Sequence, residues 1–207
     1  MVEFTVEDLS REDIARLRGI YEPLAESVRE LVDATIRTEV DAETVAQAKR
    51  DIDAVLTRLR SRQIDGAFGV RHTTAGESLG WGNALVGIRN PLAPPVVTKH
   101  DESGRVWADF NLGAAYEGPP GHVHGGVAAL ILDHLLGEAA SHDRKPRFTG
   151  TITVRYLRPT RLGPLHSEAI LTRHEGVKSF CSGHIADADG ITVEAEGVFI
   201  LPRAFRD

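Results

Sequence analysis

The feature that most constrains this chain is the run from Val127 to Leu136, in which only Asp133 and His134 are polar. It is too short to span a membrane, which takes about 20 apolar residues. It suits a helix wrapped by protein on nearly all sides. Burying a carboxylate in such a helix is costly unless the carboxylate is paired or put to use. On a helix, Asp133 shares its face with Gly126, Ala129, Leu130, Leu136, Gly137 and Ala140, most of them small. The pattern predicts a face that another group can approach closely. Turn residues, Glu117-Gly-Pro-Pro-Gly121, precede the run. The helix is expected to begin at Gly125-Gly126, where free N–H groups and the positive dipole end can bind an oxyanion.

Around this run the sequence resembles a known family. His124-Gly125-Gly126, six residues and then Asp133 is similar to the central-helix motif of hot-dog-fold thioesterases of the PaaI and THEM4-like group. The lead-in Tyr116-Glu-Gly-Pro-Pro-Gly121 is similar to the same group. The block Thr149-Gly-Thr-Ile-Thr-Val-Arg-Tyr156-Leu-Arg-Pro159-Thr-Arg-Leu-Gly163 resembles the strand that follows the helix. The resemblance covers residues 85–205 and leaves the first 65 or so untouched. It implies an α+β hot-dog fold, an antiparallel sheet wrapped around a long central helix, here with an N-terminal helical extension. It also implies hydrolysis of a fatty or aryl acyl-CoA to free acid and coenzyme A.

The expected roles follow from that resemblance. Asp133 acts as base or as nucleophile, and the sequence leaves both open. Gly125 and Gly126 offer N–H groups to the thioester carbonyl oxygen. His124 supports the turn or polarises the carbonyl. Thr149, arriving from a partner subunit, orients water. Some relatives carry Asn or Gln where this chain has Gly118, so an auxiliary contact is missing or comes from elsewhere. A single hot-dog sheet leaves strand edges open, and a homodimer or dimer of dimers is expected. No separate cofactor is implied, since coenzyme A enters as part of the substrate. Two rivals share the fold: a non-catalytic acyl-CoA or lipid-binding protein, and a dehydratase.

Charge adds to this reading. The chain has a formal net charge of −6, which argues against nucleic acid as partner. From Arg144 to Lys178, however, eight Lys or Arg stand against Glu168 and Glu175. Arginine suits phosphate. Arg158, Arg161 and Lys178, with Arg155 in the same cluster, are the candidates to meet coenzyme A phosphates.

Other classes find little support. No run of 18 apolar residues exists, so no membrane span is expected, and the acidic start lacks a signal-peptide pattern. Cys181 is alone, so no disulfide framework is expected and a reducing cytoplasm is the natural location. His122, His124 and His134 invite a metal reading, but His134 points about 100° from Asp133 on a helix. There is no His-Glu-x-x-His, and no metal site is expected.

Along the chain, residues 1–66 read as a helical extension. Ser10 with Asp13 forms a capping pattern, and apolar residues recur at helical spacing from Ile14 to Ile36 around Pro23, which is expected to kink or split the run. Asp41 caps a second run from Val45 to Leu59. Residues 67–84 read as linker or surface loop, and 85–205 as the hot-dog domain. Within it a hairpin around Asp101–Gly104 precedes the central helix, which ends near Ser141. Strands follow over 149–157, 166–174, 179–186 and 191–201.

Overall fold

A computed structural model describes residues 5–74 and 77–206. The helix expected over residues 1–4, Phe4 included, lies outside the described residues. The chain divides into two compact units, Met1–Leu92 and Ala93–Asp207.

The first unit opens with β1 (Thr5–Glu7), where helix was expected. Thr-Val-Glu suits a strand, and the first capping residue comes only at Ser10. There the Ser10 side chain accepts from the Asp13 N–H while Asp13 reaches back to the Ser10 backbone, and α1 (Arg11–Arg37) begins. Pro23 lies inside α1, which continues past it to Arg37 instead of splitting. Asp41 accepts from the Thr44 N–H at 2.8 Å and starts α2 (Ala42–Arg60). Among the described residues, α1 buries only Ala25 and α2 buries none. Residues 67–84 hold two short strands, β2 (Arg71–Thr73) and β3 (Ser78–Leu79). β2 pairs parallel with β1 and antiparallel with β3.

The second unit is built on β4 (Lys99–His100), β5 (Val106–Leu112), α3 (Gly125–Ala140), β6 (Phe148–Tyr156), β7 (Gly163–Glu175), β8 (Lys178–Asp187) and β9 (Gly190–Ile200). The strands form one antiparallel sheet in the order β4-β5-β7-β8-β9-β6. Five of the six strands, β5 to β9, pack against α3. This is the hot-dog arrangement. Ile131, Leu132, Leu135 and Leu136 are fully enclosed, as the near-continuous apolar run requires. Cys181 faces the same core, and burial pushes its thiol up to about 12.

Strand β6 departs from simple alternation. Alternation from Ile152, Val154 and Tyr156 would put Thr149 with Thr151 and Thr153 on the opposite face. Against β9, however, the register steps from Thr149↔Phe199 to Thr151↔Val198. Gly150 is therefore the extra residue of a β-bulge, which reverses the phase and turns Thr149 to the helix face. A Cβ at Gly150 would lie 3.0 Å from Ile200 Cγ1 and 3.1 Å from the Val198 carbonyl oxygen, so glycine suits the bulge.

Candidate active site

Asp133 sits half-buried in the middle of α3. The Thr149 hydroxyl of the same chain donates to Asp133 Oδ1 at 2.8 Å. This corrects the expectation that Thr149 meets Asp133 from a partner subunit, because the Gly150 bulge brings the hydroxyl to the helix of its own chain. Asp133 Oδ2 accepts no hydrogen bond from the described residues. Part of the small-residue face beside Asp133 is filled by the chain itself. Phe199 approaches Gly137 so closely that a Cβ there would lie 3.4 Å from the ring. Toward the helix start, Ala129 is half-buried and Leu130 exposed.

His134 follows Asp133 in sequence but belongs to a different cluster. Its Nε2 lies 3.0 Å from Glu138 Oε1, and His100 Nε2 lies 3.2 Å from Glu138 Oε2. Burial pushes the Glu138 carboxyl up. His134, Thr98 and His100 outweigh that and hold it below its ordinary value.

The start of α3 is more closely tied down than the sequence suggests. His124 is the N-cap, and its Nδ1 accepts from the Gly126 N–H at 3.0 Å. The Gly126 N–H is thus spent on the cap, which corrects its expected part in an oxyanion hole. The His124 N–H itself donates to the Tyr116 carbonyl at 2.9 Å. Gly125 N–H has no acceptor among the described residues. Tyr156, which sequence reasoning did not single out, donates its hydroxyl to the Gly125 carbonyl at 2.8 Å. Its place on the inward phase of the strand was the available signal. The departure at Gly118 also has a physical reason, since a Cβ there would lie 2.7 Å from the His124 Cα.

The four basic candidates do not form one patch. Arg158 donates through Nη1 to Asp187 Oδ2 at 2.8 Å and through Nη2 to the Gly190 carbonyl at 2.7 Å. It holds the Asp187 carboxyl down at about 2. It clamps the β8–β9 turn, so its planar fork is not free for a phosphate. Arg161 pairs with Asp189 at 2.9 Å and Arg155 with Glu194 at 3.8 Å, both at the exposed surface. Such pairs are worth at most about 1 kcal/mol and exchange readily. Lys178 starts β8 while Asp187 ends it, a separation of roughly 30 Å at about 3.3 Å per residue. Lys178 therefore cannot share a phosphate with Arg158 or Arg161 of its own chain.

Comparisons with known proteins agree with this architecture. The thioesterase superfamily model matches residues 120–194. The crystal structure of a thioesterase superfamily protein is 34% identical, covering 87% of this chain and 90% of its own, with a TM-score of 0.78. This chain belongs to the thioesterase superfamily. It is also 34% identical over 94 residues to acyl-coenzyme A thioesterase THEM4 of Xenopus laevis, a match that takes in 44% of this chain and 42% of that relative's length. The PaaI protein of the E. coli phenylacetic acid degradation operon is a weaker match, 15% identical over 52% of this chain and 79% of its own, with a TM-score of 0.49. No helix among the described residues is long and apolar enough to cross a membrane.

Proposed function

We propose that this chain hydrolyses an acyl-CoA thioester to a carboxylic acid and coenzyme A. The observation that carries the reading is the 2.8 Å hydrogen bond from Thr149 to Asp133 Oδ1. It fixes the carboxylate and leaves Oδ2 for chemistry. Oδ2 serves either as base toward a water or as nucleophile toward the thioester carbonyl. In the first case water adds to the carbonyl carbon, its proton passes to Asp133, the carbon–sulfur bond breaks and the thiolate leaves to be protonated.

The tetrahedral oxyanion needs a donor, and the Gly125 N–H is the open one at the helix start. One such donor is worth about 3–4 kcal/mol in the transition state. Gly125 and Asp133 lie eight residues apart on α3, which is about 12 Å at 1.5 Å per residue. A single carbonyl cannot meet both within one chain. The complete site therefore takes Asp133 and Thr149 from one chain and Gly125 from a second, and a homodimer carries two such sites. Arg161 and Arg155, held only in surface pairs, are the proposed contacts for coenzyme A phosphates, and the acyl group is fatty or aryl.

The test has two stages. Asp133→Asn, nearly isosteric, should lower kcat by about 100-fold or more while circular dichroism and melting stay as in the wild type. Wild-type turnover by the folded variant removes Asp133 from the mechanism. The second variant is Gly125→Pro, which deletes one N–H at a helix position that tolerates proline. His124, at ψ 130°, already has the backbone that a following proline requires. Each variant alone should be nearly inactive. Mixed and allowed to exchange, half the dimers are heterodimers with one intact site, so about a quarter of wild-type activity returns. No return of activity on mixing defeats the shared site.

A further inference from the structure

Within the first unit, the middle of α1, the end of α2 and the segments 61–66 and 89–91 line an open groove of about 770 Å³. That volume falls in the range of small-molecule sites, roughly 300–1,000 Å³. Leu24 and Val28 of α1, Leu59 of α2 and Ile64 give it an apolar lining over the small, buried Ala25. Arg58, Arg62 and Arg89 also line it.

These three arginines differ from several others of this unit, though Arg50, which donates to Gln47, also lacks a carboxylate partner among the described residues. Arg11 pairs with Glu77, Arg16 with Asp13, Arg18 with Glu22, and Arg37 with Asp33. Residues 1–62 carry 14 acidic against 10 basic side chains, so carboxylates are plentiful. Yet Arg58, Arg62 and Arg89 have no carboxylate partner among the described residues. Arg58 Nε reaches only the Ala54 carbonyl, at 3.4 Å, and the Arg89 guanidinium lies 3.7 Å over the Tyr21 ring. Stacking fixes Arg89 and leaves its edge free to donate. Three arginines without a carboxylate partner among the described residues, set around an apolar lining, complement an amphiphile whose apolar tail ends in an anion such as a carboxylate.

We infer that this groove binds a free long-chain fatty acid, its tail along Leu24, Val28 and Leu59 and its carboxylate among Arg58, Arg62 and Arg89. The inference goes beyond the hydrolytic reading and stands without it, since no residue of the groove belongs to the proposed catalytic set. A partner protein would be expected to bury an interface of about 1,000 Å² or more, and the compact volume favours a small ligand.

The probe is dodecanoate below its micelle concentration, titrated into the full chain with excess coenzyme A present to occupy the proposed catalytic site. Dodecyltrimethylammonium supplies the same tail with opposite charge, and acetate supplies the head alone. Dodecanoate should bind at least tenfold more tightly than either control. Arg58→Gln with Arg62→Gln should weaken dodecanoate at least tenfold and leave thioester hydrolysis at the wild-type rate. If that double variant does not fold, Arg62→Gln alone, beyond the helix end, should still weaken binding by about threefold. Leu24→Glu should abolish binding. Equal affinity for dodecanoate and the ammonium, or unchanged dodecanoate affinity in the folded double variant, overturns the assignment. It is also overturned if Leu24→Glu lowers the sedimenting mass and leaves dodecanoate bound, because the groove is then a seam between chains.

Discussion

The two edges of the sheet in the second unit are unlike. At one edge β4 has two residues, Lys99 and His100, both exposed. It is short and polar, and the Lys99 ammonium lies 3.3 Å from Asp109. At the other edge β6 runs for nine residues, and only Ile152 and Val154 are partly covered. Phe148 and Tyr156 are about half exposed, at 49% and 53%. A short charged edge discourages pairing with another chain, and a long open one invites it. The difference assigns the two edges different work. The open edge also carries Thr149, which holds Asp133, and Tyr156, which holds the start of α3. Assembly and chemistry thus meet on one strand in this reading, so damage to that edge should cost both.

The largest effect should come from making β6 resemble β4. Thr151→Lys with Thr153→Lys places two charges on the open edge, away from the helix. On the proposed homodimer, this variant should sediment as a monomer, and activity should drop at least about tenfold because the proposed site loses its second chain. A fully active monomer would break the link between edge and site. A smaller and more local effect should follow Gly150→Val. Crowding against Ile200 and the Val198 carbonyl disfavours the bulge, and Thr149 loses its place beside Asp133. A hydrogen bond to a charged group is worth about 1.5–3 kcal/mol, so kcat should fall roughly tenfold or more with assembly unchanged. If Thr149→Val is harmless in parallel assays, the bulge matters only for folding. The smallest effect belongs to the blunted edge. Lys99→Thr removes an exposed ion pair and should change stability by less than about 1 kcal/mol. Assembly and kcat should stay unchanged, and aggregation of that variant would show that the charge alone guards the edge.

The contrast between the edges also separates what the sequence makes legible from what it does not. The start and end of α3, the β8–β9 turn at Asp187–Gly190 and the four long strands follow from local periods and turn residues. Asp133 is legible as a residue in need of a partner, because one carboxylate interrupts an apolar run. Its partner's side of the strand is not. The phase of Thr149 depends on how Gly150 fits against Val198 and Ile200, some fifty residues away. For the same reason, the donors of Arg158 look free until Asp187 is brought beside them. The donor of Gly126 is hidden in another way, since it is spent on a side chain only two residues back. The strands β1, β2 and β3 have two or three residues each, too few to display any period.

The burial of Cys181 decides how cleanly this chain can be assayed. Coenzyme A released from a thioester is commonly counted through its thiol, with reagents that react with any thiolate in solution. The chain has one cysteine, buried and pushed up to about 12. At pH 8 its thiolate fraction is on the order of one in ten thousand, and the surrounding core keeps reagent out. Folded protein should therefore give no colour of its own, so a rising blank in the absence of substrate would report unfolding.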